Sequence, residues 1–350
     1  MYDYANHFEA WLGGTSHIGA YADGARGKVY PDAMSSRPRF EARFPGRVHV
    51  LQDGAGALDV KLADVGADAL YTIQAGCNSM PISPAFKPML VHAVFGASPK
   101  LPRCAAVSPT ADVAAGVPVV HHMVYLDPSL ADTPPMKLSA LEGAERVFCR
   151  HGGGGTFSID FARRQIQEHV TKFPKDIFLL MNTDRFPGDE NYPNNIIFLG
   201  ITTDLREKRS FLNTCDACIH ARVDGETFGL AVAECSLAGL PVITSTLYGG
   251  FHLGVLGAHA LTYDSQERLR DILAGFDAKA HQAKADVYRR LYDRFSPEII
   301  MREFVDGFGL MAEIQAVENP KSLAWQGLCV PPPNMVRWLP AQANASLATS

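Results

Sequence analysis

No run of 18 apolar residues occurs in this chain of 350 residues, so no segment reads as a membrane-spanning helix. The opening MYDYANHFEA carries an acidic residue and polar breaks where a secretory leader carries a basic patch and an apolar stretch. The expectation is a soluble, cytoplasmic protein without a transmembrane segment, peripheral membrane contact being left open. Cysteine is sparse as well. The seven residues, at 77, 104, 149, 215, 218, 235 and 329, are an odd number spread too thinly for a small disulfide scaffold, and they are expected to be reduced thiols. Nor is positive charge in excess, since 32 Lys and Arg stand against 37 Asp and Glu for a net charge of -5. Without the basic field that non-specific nucleic-acid binding uses, nucleic acid is not an expected partner. What remains is ordinary globular material. Residues of the AVILMFWYC set make up 47% and charged residues 20%, which excludes a disordered or collagen-like chain, and the length predicts about two domains of ~150 residues each.

From residue 48 onward short β-branched runs alternate with longer amphipathic segments, the pattern of parallel sheets covered by helices. Strands are expected at 47–51, 69–74, 89–95, 104–108 and 117–126, with LDVKLADVG as a crossover helix closed by Gly66. A proline-rich hinge, DPSLADTPPMK (127–137), follows. The alternation then resumes, with strands at 146–150, 176–183, 195–200, 218–222 and 241–246 and helices at 157–169, 206–215 and 228–239. A last helix is signalled by Ser296 and Pro297 at its start and by Met301, Phe304, Phe308 and Met311 on one face. This gives an α/β protein of two Rossmann-like domains with a ligand cleft between them, outside the carboxyl ends of the strands. The expected boundaries are 1–143, with the hinge at 127–143, then 144–316, and a loosely ordered tail at 317–350.

The most informative string is HARVDGETFGLAVAECSLAGLPVIT, residues 220–244. A helix starting near Gly229 would aim its free amides and positive dipole end at the cleft, where a diphosphate is favoured. Gly229 lets that backbone come close. Glu226, in the loop before the helix, is placed to accept hydrogen bonds from sugar hydroxyls, and Glu234, eight residues on, is placed for a ribose diol. Spacing alone does not decide, because glutamates at a helix start also serve as dipole partners. The full string, however, resembles the signature of retaining glycosyltransferases of family 4 (group 1 type), Glu, seven residues, Glu, on the GT-B architecture. The resemblance runs from about Arg146 to Tyr263.

It implies transfer of a sugar from a nucleotide diphosphate donor to a glycan, lipid or small-molecule acceptor, with retention of configuration. Glu226 would hold the donor sugar, the backbone at Phe228, Gly229 and Leu230 would meet sugar and phosphate, and Glu234 would bind the ribose. Arg150, in VFCRHGGGG, matches the arginine that neutralises the leaving diphosphate, although the lysine that usually follows it is replaced by Gly152–Gly155, Thr156 and Phe157. Arg163 or Arg164 is the candidate substitute. Base contacts are expected near Asn182, Thr183 and Thr203. No Asp-x-Asp pair occurs, so neither a metal nor another cofactor is expected. The resemblance also places a strand and glycine loop ahead of YDYANHFEAWL, so the first domain is expected to lack its first strand.

Of the histidines, His92 at a strand end is the candidate for the cleft, to hydrogen-bond a sugar hydroxyl or phosphate, and it joins Glu226 and Arg150 as a catalytic candidate. A structural histidine is the equal alternative there. His121 and His122 read as packing or interdomain contacts near the hinge, and His220 and Arg222 as cleft-lining residues without a role. CDAC (215–218) lacks the partners for a zinc site and reads as coincidence, and GGGG (152–155) reads as a loop over the cleft. Two other functions are compatible with the fold: a nucleotide-sugar epimerase, whose further acidic and histidine groups find no place here, and a non-catalytic nucleotide-sugar-binding relic.

Overall fold

The computed structural model describes residues 2–21, 36–51, 54–76, 89–97, 103–186 and 192–310. The chain opens with helix α1 (Tyr2–Leu12), strand β1 (Ile18–Tyr21), helix α2 (Arg37–Arg43) and strand β2 (Val48–Leu51), which pairs parallel with β1. Helix α3 (Gly54–Asp64) leads to β3 (Leu70–Gly76), β4 (Met89–Ala97), β5 (Cys104–Ala106) and the short β6 (Asp112–Val113). These form a second parallel sheet in the order β3-β4-β5, with β6 also on β4. Strand β4 is buried on both faces from Met89 to Ala93, a run apolar except for His92, as in a covered parallel sheet.

The expected strand at 117–126 is not one. The segment keeps only an isolated bridge, Ala106 to Val119, and is otherwise without regular structure. Beyond it the backbone turns to other partners: the amides of His121, Met123 and Val124 donate to Glu303 Oε2, Tyr4 Oη and the carbonyl of Phe295. Helical elements thus take the hydrogen bonds that a ladder would have used.

The second half follows the sequence reading closely. It comprises β7 (Arg146–Arg150), α4 (Asp160–Lys172), β8 (Asp176–Met181), β9 (Ile196–Leu199), α5 (Leu205–Thr214), β10 (Ala217–His220), α6 (Leu230–Leu237), β11 (Val242–Ser245), α7 (Phe251–Leu256), β12 (Leu261–Tyr263) and α8 (Gln266–Ala274). All six strands are parallel, in the order β12-β11-β10-β7-β8-β9. Side chains alternate between its faces: Phe148, Phe178, Ile219 and Ile243 pack on one side with α4 and α8, and Cys149, Leu179, Cys218 and Val242 on the other with α5 and α6. Chain order reverses between β7 and β10, so the ends of those two strands leave a crevice. At the opposite, N-terminal end of the strands Asp176, fully buried, accepts from Arg146 Nε and Nη2 (2.9 and 2.5 Å) and from His169 Nε2 (2.6 Å).

Helices α9 (Ala278–Gln282), α10 (Ala285–Arg290) and α11 (Pro297–Gly307) complete the described chain. Pro297 stands at the first turn of α11 as expected, and the apolar face is buried at Ile300, Met301, Phe304 and Val305. Met311 and the 317–350 tail lie outside the described residues. Assigned from sequence to the second half, α11 packs on the first: Phe304 meets Tyr4 and Tyr71, and Phe308 meets His92. Among the described residues no helix is long and apolar enough to cross a membrane.

The cysteine expectation fails at three positions. Cys218 and Cys235 form a disulfide that joins β10 to α6, and Cys104 is also disulfide-bonded. Strand and helix neighbours bring together residues 17 apart, which spacing could not show. Cys149 and Cys215 remain free and buried, so the CDAC residues are not partners of each other.

Candidate functional site

A cavity of about 270 Å³ opens where the two halves meet, at the chain-order reversal of the large sheet. Its walls come from the end of β7 (Arg150 to Gly153), the end of β10 (His220 to Arg222), the loop and first turn of α6 (Glu226 to Val232), and Val94, Phe95 and His122 of the first half.

The loop is shaped by close backbone approach. Gly225 has φ +64°, and a Cβ there would lie 2.4 Å from the carbonyl oxygen of Tyr248. Only glycine fits. The amide of Phe251 donates to the Glu226 carbonyl at 3.1 Å, so loop 248–251 braces the residue that carries the carboxylate. Gly229, left-handed at φ +85°, then turns the chain into α6. The first intrahelical bond runs from the Ala233 amide to the Gly229 carbonyl, so the amides of Leu230, Ala231 and Val232 precede it and leave the positive end of the helix facing the cavity.

Glu226 accepts from His220 Nε2 and Arg222 Nη1, each at 3.1 Å. Burial pushes its pKa up, but the His220 hydrogen bond and the charges of His220 and Arg222 outweigh this and hold it below the usual carboxylate range. Thr244 Oγ1 links His220 Nδ1 (3.0 Å) to His252 Nε2 (2.9 Å), and burial drives the His252 pKa down to about 3. This network belongs to three separate elements, which is why sequence reading named His220 and Arg222 without a role and did not name His252.

Arg150 is buried and committed. Its Nη1 donates to the Asn182 carbonyl (2.8 Å) and Thr183 Oγ1 (2.6 Å), and its Nη2 to the Gly153 carbonyl (2.6 Å) and Thr156 Oγ1 (2.5 Å). All four terminal N–H groups hold the glycine loop and the end of β8, where the sequence reading had them on a phosphate. Asn182 and Thr183 are occupied in the same structure, with Asn182 Nδ2 donating to Gly152. Arg163 donates to Phe157 and Asp160 away from the cavity, and neither it nor Arg164 lines it.

Glu234, one turn into α6, is bound by Lys208 of α5 at 2.5 Å. Burial raises its pKa, yet Lys208 and His151 keep it ionised below the ordinary value. Leu230, four residues earlier on the helix, lines the cavity and Glu234 does not; its carboxylate stands behind His151 of the wall, whose Nε2 lies 3.7 Å from Glu234 Oε2. Lys208 was not foreseen, because α5 meets α6 only in the fold.

His92 does not face the cleft. It is fully buried in the first half, hydrogen-bonded to Tyr71 Oη (2.9 Å) and the Val120 carbonyl (2.5 Å). The register of β4 turns it inward toward Phe308. His122 instead lines the cavity, while His121 pairs with Glu303 at 2.9 Å.

No family model matches the chain. No curated protein is significantly similar to it. Solved structures are. The Anabaena protein HepE, in complex with UDP and glucose, superposes with a TM-score of 0.61 at 13% identity, over 88% of this chain and 95% of that one. The same protein in complex with UDP-glucose gives 0.60 at 14%, over 89% and 95%. A glycosyltransferase from Rickettsia africae gives 0.55 at 12%, over 89% and 94%. The chain has the GT-B fold. In it the second Rossmann-like half supplies most of the cavity wall, and the first closes it through Val94, Phe95 and His122. The 117–126 segment and α11 tie the halves together.

Proposed function

We propose that the protein is a glycosyltransferase that moves a sugar from a nucleotide diphosphate donor, with a UDP-sugar as the first candidate, to an acceptor received against the first half. The observation that carries this reading is the loop Gly225–Gly229: two left-handed glycines present an ionised Glu226 and the start of α6 together to one cavity at the strand-order reversal. The diphosphate lies over the free amides of α6, where developing negative charge on the leaving group meets a preorganised dipole. Glu226 accepts hydrogen bonds from the donor sugar, Glu234 takes the ribose diol, and Arg150 holds the loop beneath them. His122 reaches the same cavity from the first half, on the acceptor side.

Two finer points belong to the same reading. Glu226 is the one carboxylate among the described residues lining the cavity, and it is already bound by His220 and Arg222. A cation bridging a diphosphate usually draws on freer oxygens, so transfer is metal-independent. Among the described residues no second carboxylate lines the cavity to act as a nucleophile, which fits retention through departure and attack on one face of the sugar.

Incubation with UDP-glucose, GDP-mannose and ADP-glucose in the presence of EDTA tests the reading. Release of nucleoside diphosphate, with the product anomer identified by NMR as that of the donor, is expected. Tight binding without turnover would identify a non-catalytic relic, and activity lost to EDTA but restored by manganese would refute metal independence. In calorimetry, Glu234→Ala is expected to weaken nucleoside diphosphate binding about tenfold to a hundredfold, and Glu226→Ala to spare it. Equal losses would remove the division of roles.

A further inference from the structure

The proposed reaction needs positive charge beside the leaving diphosphate, and the side chain expected to supply it is spoken for. Arg150 spends its four terminal N–H groups on Asn182, Thr183, Gly153 and Thr156. No lysine lines the cavity among the described residues. Arg222 is differently placed. It stands two residues beyond the end of β10, the strand across the crevice from β7, and its side chain is 19% exposed in the cavity wall. One of its nitrogens, Nη1, donates to Glu226 Oε2 at 3.1 Å. Its Nε lies 3.9 Å from Asp224, beyond hydrogen-bond reach, and has no partner among the described residues. Of its five N–H donors, the described hydrogen bonds engage Nη1 alone.

Resting on the reading of this cleft as a nucleotide-sugar site, we propose that Arg222 is the cation that receives the leaving diphosphate, and that Arg150 is a positioning residue that shapes the 152–156 loop. The fork geometry of a guanidinium suits the double duty. Nη1 keeps hold of Glu226 while Nη2 and Nε turn to phosphate oxygens, so the group that orients the sugar-binding carboxylate also meets charge as it develops on the leaving group. Two guanidiniums line this cavity: burial lowers the Arg150 pKa to about 10, Glu226 and Asp184 work against that shift, and Arg222 adds to it. Like charges gathered beside a helix N-terminus in one cavity are relieved by an anion. An arginine after β10 thereby takes the place of the lysine that the glycine loop lacks.

Calorimetry with UDP and uridine separates phosphate contacts from all others; GDP with guanosine, or ADP with adenosine, replaces the pair if one of those is the nucleotide bound. Arg222→Met is expected to weaken UDP about tenfold to a hundredfold with uridine unchanged, and to flatten the salt dependence of UDP binding. Arg222→Lys, which keeps a charge but not the fork, is expected to lose severalfold on UDP alone and to retain the salt slope. Arg150→Lys is expected to lower Tm and to weaken UDP and uridine together. The proposal is overturned if Arg222→Met stays within twofold of the parent for UDP, if it loses UDP and uridine equally, or if Arg150→Lys loses UDP alone. Should Arg222→Met fail to fold, Arg222→Lys decides in its place, since an unchanged UDP affinity there removes the fork. A parent protein that binds no nucleoside diphosphate would instead remove the nucleotide-sugar reading itself.

Discussion

Alanine at Gly225 and at Gly249 should behave differently, and the difference measures how tightly the Glu226 loop is held. Both glycines are left-handed, at φ +64° and +67°. A side chain at either position carries the left-handed penalty of about 1–2 kcal/mol. At Gly249 nothing lies within 4 Å of the new Cβ, so that penalty is the whole cost. At Gly225 the Cβ would sit 2.4 Å from the Tyr248 oxygen and 2.9 Å from that of Gly249, roughly 1 Å inside contact distance. Both obstacles are backbone, so loop must move against loop, at a further cost of about 1–3 kcal/mol. With about 2–4 °C lost per kcal/mol in a domain of this size, Gly249→Ala should melt about 2–8 °C below the parent and Gly225→Ala lower again. The more telling readout is turnover. Glu226 is bridged to Gly250 and Phe251, so a loop displaced by roughly 1 Å carries the carboxylate with it, at about a hundredfold in kcat/KM, while Gly249→Ala should keep most activity. Equal melting temperatures, or Gly225→Ala turnover within twofold of Gly249→Ala, would refute the argument.

Asp176→Asn should destabilise the fold by about 3–5 kcal/mol near neutral pH, because it strands Arg146 and His169 at a buried site. Burial raises the Asp176 pKa, but His169 and Arg146 more than offset this and leave it depressed. Its stabilisation is therefore present above the unfolded carboxyl pKa and is lost as pH falls through the folded one, so the variant should show a shallower acid limb in urea titrations; an unchanged limb would sink the assignment. Lys208→Met should let the Glu234 pKa rise, so that nucleoside diphosphate binding fails at higher pH than in the parent, as calorimetry between pH 4 and 7 would show. His92→Leu should lower Tm while the folded fraction keeps its kcat/KM, and a large drop in kcat/KM at unchanged Tm would return His92 to the cleft.

How much of this was legible depended on the range of the interactions involved. In the second half each strand and helix is written in its own ten residues, and the Glu226 to Glu234 string carries its glycine turn and helix start within it. Failures came where long-range partners decide. Residues 117–126 have the composition of a strand, yet Tyr4, Phe295 and Glu303 took the hydrogen bonds of its later residues. The alternation of β4 offered His92 to either side, and only packing against Phe308 and Val120 settled which. Cys218 with Cys235, Lys208 with Glu234 and His220 with Thr244 and His252 are neighbours made by strand order and helix packing. Arg150 was identifiable as important, but its use was not, since the four acceptors that occupy it come from the ends of two strands.

Ser108 and Thr110, at the end of β5 in the first half, both direct their hydroxyls at the carbonyl of Thr227, the residue after Glu226. That carbonyl belongs to the second half. The joint between the halves is thus fastened to the very loop that carries the Glu226 carboxylate. Two side chains of the first half hold one carbonyl of the second, and any displacement between the halves would strip that carbonyl of both donors at once. The Glu226 loop is therefore braced from two directions, by the 248–251 loop of its own half and by the Ser108 and Thr110 hydroxyls of the other, so its position depends on how the two halves are seated.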